Sequence, residues 1–167
     1  MRLLLGAIAV ALLAGCDTDR RRTPAATPAE TRSSGWVEAA NDACRRQVPA
    51  IERAGEPIPR AVERARRGAP GGWKTVAKHM RRQADGLSRL YEDLKAIPRP
   101  RDDRRIRRFL YLYANVAGSS FRAVDGMLYD RAVAEQYVAD SNAAGEKAHA
   151  VARELGTEAC TSWLVAS

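Results

Sequence analysis

The sequence predicts an all-α chain, an antiparallel up-and-down four-helix bundle with one short extra helix. Three observations lead there. Apolar residues recur at three- and four-residue steps through most of residues 36–155. Gly- and Pro-rich breaks divide that pattern into segments. No segment alternates apolar and polar residues, so no strand is required. Long amphipathic helices joined by short loops bury their stripes most simply by packing antiparallel.

The first segment starts at Trp36, with Val37, Ala40, Cys44, Val48 and Ile51 on one helical face. Pro49 falls inside it and predicts a kink or an early end, and Gly55 closes it. Pro57 and Pro59 open a short second piece, residues 58–67, with Ala61, Val62 and Ala65 inward. The run Gly68-Ala69-Pro70-Gly71-Gly72 is a loop. Residues 73–97 carry Trp73, Val76, Met80, Ala84, Leu87, Leu90, Tyr91 and Leu94 against a basic and acidic opposite face. Pro98-Arg99-Pro100 stops that helix, because proline disfavours a helical residue before it and lacks an N–H.

Asp102 or Asp103 can cap the next helix, whose inward residues run from Ile106 and Phe109 through Tyr113, Val116 and Ser120 to Met127. The last helix starts near Asp130 and lines one face with Ala134, Tyr137, Val138, Ser141, Ala144, Gly145, Ala148, Val151, Ala152 and Leu155. That seam is mostly small, so a neighbouring backbone can approach closely, and Gly156 is a good stop. The two stripes keep one heptad phase across Asp130 and Arg131. A single unbroken helix would then be about 80 Å long at 1.5 Å per residue. A tight turn within residues 126–131 is the preferred reading, because it buries both stripes in one chain.

The N-terminus carries a different signal. Arg2 precedes an apolar run from Leu3 to Ala14 that is short for a bilayer span and matches an export signal. It ends in Leu12-Leu13-Ala14-Gly15-Cys16, which resembles the lipobox of bacterial lipoproteins. The resemblance implies cleavage after Gly15, lipidation of Cys16 (palmitate among the acyl chains) and a mature chain on the outer face of the cell membrane, the periplasmic side if Gram-negative. Two or three acyl chains would hold it stably. Residues 1–15 are then a signal peptide and residues 16–35, with no large apolar side chain, a disordered tether. Residues 36–167 form the bundle domain, with Trp163, Leu164 and Val165 expected over one end.

With Cys16 assigned to lipid, Cys44 and Cys160 remain in a compartment where disulfides persist, and they are expected to bond. Two separate buried thiols are the alternative; no CxxC or nearby His favours a metal. Cys44 with Val48-Pro49-Ala50-Ile51, and the ending Ala152-Arg153-Glu154-Leu155-Gly156-Thr157-Glu158-Ala159-Cys160, resemble small two-cysteine helical exported proteins of high-GC Gram-positive bacteria. That resemblance implies a disulfide-closed helical domain of unknown function and brings no catalytic residues.

The net charge is +8, and its strongest local peak along the sequence is Arg99, Arg101, Arg104, Arg105, Arg107 and Arg108. This cluster is the candidate contact for an anionic envelope surface or polymer, against the plainer reading of a solvated helix start. Export disfavours nucleic acid as the partner. Glu146 and His149 have the E-x-x-H spacing of di-iron bundles, but the second such motif and further inward carboxylates are missing, so a solvated pair is expected. His79-Met80 lacks a CxxCH, and Met80 fits the core stripe. Gly118-Ser119-Ser120 reads as a small-residue helix contact. No nucleophile motif, phosphate loop or cofactor motif is present. The sequence therefore points away from an enzyme, to an envelope interaction module that holds a protein or an anionic component near the membrane. The alternative is a bundle that binds a small ligand or metal along the small seam, near Tyr113, Tyr137 and His149.

Overall fold

A computed structural model describes residues 28–100 and 103–161 of the chain, and among these residues every regular element is helical. The elements are α1 (Pro28–Gly55), α2 (Pro57–Arg66), α3 (Gly72–Ala96), α4 (Arg104–Tyr129) and α5 (Arg131–Leu155), followed by a 3₁₀ turn at Glu158–Cys160. None of the helices is long and apolar enough to cross a membrane. The signal and lipobox residues, Arg101, Asp102 and the Trp163-Leu164-Val165 tail lie outside the described residues.

The backbone of α1 is helical from Pro28, ahead of Trp36, but Trp36 is the first buried side chain among those described. Pro49 does not end α1, contrary to the early stop allowed above. It sits on the exposed face beside an exposed Arg45, whose carbonyl can be satisfied by water instead of the missing N–H. The break comes at Glu56, before Pro57, where the chain stays in the right-handed helical region and α2 begins at once.

α1 and α2 together act as the first long element of the bundle. Close approaches pair Gln47 with Asp93, Ile51 with Gly86, Gly55 with Gln83, and Ala65 with Gly72. Each step down α1 and α2 is matched by a step back along α3, so the broken pair runs antiparallel to α3 over its whole length. A Cβ on Gly72 would lie 2.7 Å from the Ala65 Cα, which is why this backbone approach requires glycine.

α4 and α5 form an antiparallel hairpin. Ser141 Oγ donates to the Val116 carbonyl at 3.3 Å and shares a 3.2 Å contact with Ser120 Oγ, while Gly126 faces Ala134 nearer the turn. The turn is one residue, Asp130, with extended backbone at φ −149° and ψ 103°. Its N–H donates to the Gly126 carbonyl at 2.7 Å, and its carboxylate accepts from the Ala132 and Val133 N–H groups at 3.1 and 3.3 Å. One side chain thus closes α4 and caps α5. This settles the turn against the single long helix.

The buried residues fall into two clusters stacked along the bundle. One joins α1 from Trp36 to Ile51 with Leu87, Leu90 and Leu94, the first half of α4, and Ala148, Val151 and Ala152. The other joins Ala61 and Ala65 with Val76, Ala84, Val124, Met127 and Ala134. The first end of α3 therefore meets the last end of α4, as antiparallel packing demands. Four helical columns in up-and-down order, with α2 as the short extra helix, match the expected fold class. Cys44 and Cys160 are disulfide-bonded, with Cα atoms 5.1 Å apart. α1 meets the end of the chain through the 3₁₀ turn rather than along α5. First and last helices are neighbours in an up-and-down bundle, and here α1 meets the end of the chain at the disulfide.

Candidate functional site

The end of the bundle that holds the disulfide also collects Arg99, Arg104, Arg105, Arg107 and Arg108 of the basic cluster. Asp103 caps α4, accepting from the Arg105 and Ile106 N–H groups at 3.0 and 3.2 Å. That fixes where Arg104, Arg105, Arg107 and Arg108 leave the helix, and all four are exposed. A core contact ties them to α1: the Phe109 and Trp36 rings meet edge-on at 6.0 Å. Arg105 lines an open groove of about 520 Å³ with Ser34, Val37, Glu38, Asn41, Arg45 and Leu155. The groove lies where the start of α1, the first turn of α4 and the last turn of α5 converge. Arg104 and Arg108 point around the helix toward its outer side, by the 100° step between successive residues. Arg99 reaches back to the Lys95 carbonyl at 3.5 Å, a weak contact at the end of α3.

Asn41 is the residue at this end that sequence reasoning missed. Its Nδ2 donates to the Gly156 carbonyl at 2.9 Å, and its Oδ1 accepts from the Ala159 N–H at 3.0 Å. Asn41 lies one turn before Cys44, so a single stretch of α1 grips the C-terminal segment by a disulfide and by a paired side-chain clamp. Gly156 turns the chain there at φ +79°, a conformation that glycine adopts without the Cβ penalty. Thr157 is fully buried beneath it, with its N–H and Oγ1 both bonded to the Ala152 carbonyl at 2.9 and 3.2 Å. The signal was a polar residue beside the apolar face and three positions ahead of a cysteine.

Glu146 and His149 do not form the solvated pair expected of them. Glu146 is exposed, but His149 is only 8 % exposed, and its Nε2 is buried without a hydrogen-bond partner. The 3₁₀ segment folds back over this part of α5, which the periodicity of α5 alone does not reveal. Burial pushes the His149 pKa below the ordinary 6.5. A hydrogen bond to the Thr161 backbone opposes that shift, and Arg153 adds to it. Above pH 6.5 both folded and unfolded chains carry a neutral imidazole there. As pH falls below 6.5 the unfolded chain takes up the proton first, so stability declines toward the lowered folded value. Denaturant titrations at a series of pH values between about 7.5 and 5 are expected to show this decline. In His149→Gln the slope over that window should be smaller; an unchanged slope removes His149 as its source.

Among the described residues no group of three or more His, Cys, Asp and Glu is arranged to hold a metal ion. Tyr113 is buried against Phe109, with ring centroids 5.3 Å apart, and Tyr137 lies under the Arg122 guanidinium at 5.7 Å. These two tyrosines are thus built into core and surface packing. In the segment 118–120, Ser120 makes the interhelical contact, whereas a Cβ on Gly118 would meet open space. The small-residue contact expected of this segment is thus made by Ser120. Met80 packs against the α2–α3 core cluster, as its place in the stripe predicted.

The exposed face of α4 was also invisible as a site in the linear sequence. Four large apolar side chains are exposed among the described residues, and Tyr111 at 67 % and Tyr129 at 88 % both belong to α4. No protein family, curated protein or solved structure shows a match to this chain.

Proposed function

We propose that this chain is a lipid-anchored, extracytoplasmic binding module that holds an anionic envelope component or partner protein at the outer face of the cell membrane, without catalysis. The carrying observation is a coincidence of ends. The part of α1 that leads back toward Cys16 packs beside the arginine-rich start of α4, through Trp36–Phe109 and the groove shared by Ser34 and Arg105. An anchor at Cys16 would hold the cationic end within reach of the membrane, where each added charge near an anionic surface is worth about 1 kcal/mol.

Metabolic labelling with palmitate tests the anchor. The parent chain is expected to carry label, and Cys16→Ser is expected to lose it. Label retained by Cys16→Ser sinks the anchor. Neutralising Arg104, Arg105, Arg107 and Arg108 together is expected to weaken retention on delipidated envelope material at low salt. Unchanged retention removes the cationic end from the proposal.

A further inference from the structure

The outward side of α4 carries a straight line of cationic and aromatic residues. Tyr111 and Tyr129 are 18 residues apart, five full turns at 3.6 residues per turn, so they share one azimuth about 27 Å apart. Arg104 and Arg122 are also 18 residues apart and lie about 20° from that line, with Arg108 on its flank. All five are exposed. The opposite side of α4 is the core face, and α3 and α5 pack beside it, so among the described residues no other element covers this line. The acid on the line, Asp125, is bonded to Arg81 of α3 at 2.8 Å, so its charge is balanced locally. Arg122 stacks on Tyr137 through its face.

We infer that this side of α4 is a contact face for an anionic phospholipid surface, so that the bundle lies along the bilayer rather than standing on its end. Three features favour lipid head groups over a peptide or a polymer strand. The face is the convex side of a helix, whereas three open grooves among the described residues lie off it, one at the α1–α4–α5 end, one beside α2 and one where α1, α3 and Phe121 of α4 meet. Tyrosine and arginine together suit the head-group level, where a ring meets the acyl boundary and a guanidinium meets phosphate. The eleven residues between Cys16 and Pro28 span at most about 40 Å, so an anchored bundle has the reach to lie down. The inference deepens the membrane-anchored reading, on which it rests for proximity to lipid.

The test uses the mature chain, residues 16–167, with Cys16→Ser, so that neither an acyl chain nor the apolar run from Leu3 to Ala14 contributes. Binding to phosphatidylcholine vesicles with and without about 30 mol% phosphatidylglycerol is read by co-sedimentation at about 20 mM and about 500 mM salt. The chain is expected to bind only where phosphatidylglycerol is present and salt is low. Arg104→Gln, Arg108→Gln and Arg122→Gln together should weaken that binding by roughly tenfold or more. Arg60→Gln, Arg64→Gln and Arg66→Gln remove the same charge from exposed positions of α2 and should change it less than about threefold. Tyr111→Ala with Tyr129→Ala should weaken it severalfold. Equal losses in the two arginine triples would mean attraction by net charge and overturn the face. No binding to the anionic vesicles overturns lipid as the partner, and loss of envelope retention in the α4 triple would then indicate an acidic protein instead. The two readings fail separately, since absence of lipid on Cys16 removes the anchor without altering the vesicle result.

Discussion

Replacing both Cys44 and Cys160 with alanine is expected to lower the free energy of unfolding by about 4 to 5 kcal/mol. The bond closes a loop with a sequence separation of 116, for which the chain-entropy description gives a value of that size. Both sulfurs are fully buried, so the lost packing adds to the loss rather than offsetting it. The check is a denaturant titration of the oxidised parent and the double variant, with the slope expected to rise because the unfolded chain becomes more open. The Asn41 clamp grips the same end without covalent help and opposes complete fraying of the C-terminal segment. A loss below about 1 kcal/mol would mean that the unfolded chain is already held compact by other contacts.

The second large effect belongs to Phe109→Ala, expected to cost about 3 to 5 kcal/mol. Phe109 is completely buried and meets two other buried rings, Trp36 from α1 and Tyr113 one turn ahead on α4. Truncation leaves a void that rigid aromatic neighbours cannot close, so both the transfer loss and the cavity persist. Thermal or urea unfolding would show the cost, and Phe109→Leu is expected to recover part of it. Equal stability of Phe109→Ala and the parent would show that the first core cluster can collapse around the site.

Most of the architecture was legible in the sequence because helix burial has a period and helix ends have a chemistry. The apolar steps from Trp36 to Ile51 and from Ile106 to Met127 mark faces that are buried in the structure. Asp103, Asp130 and Gly156 perform the end chemistry that their side chains, or the lack of one, suggest. Pro49 does not end its helix, since a proline on a solvent-facing turn leaves a carbonyl that water can satisfy. The heptad phase across Asp130 could not separate hairpin from rod. The capping geometry of that one residue does so, together with the contacts of Ser141 with Val116 and Ser120.

The candidate site was less legible, because it depends on which elements meet. The arginines from Arg104 to Arg108 were visible as a charge peak, but their position beside Trp36 follows from the Phe109 contact. His149 looked solvated because its neighbours in α5 straddle the seam, and the 3₁₀ segment that covers it comes from later in the chain. Asn41 and the α4 line had no motif to announce them. One needs the C-terminal turn in place, and the other needs to be known as a side that no helix among the described residues covers.

The grip of α1 on the C-terminal segment also sets how the fold would carry a mechanical load. If the chain is pulled between the start of α1 and the residues that follow Cys160, tension enters along α1, crosses the sulfur bridge at Cys44 and leaves at Cys160. Everything between those two positions, including α2, α3, α4 and α5, lies outside the load path. Such a protein held by its N-terminal side and tugged at its C-terminal side yields little length while oxidised, and reduction would turn the same pull into an unfolding force.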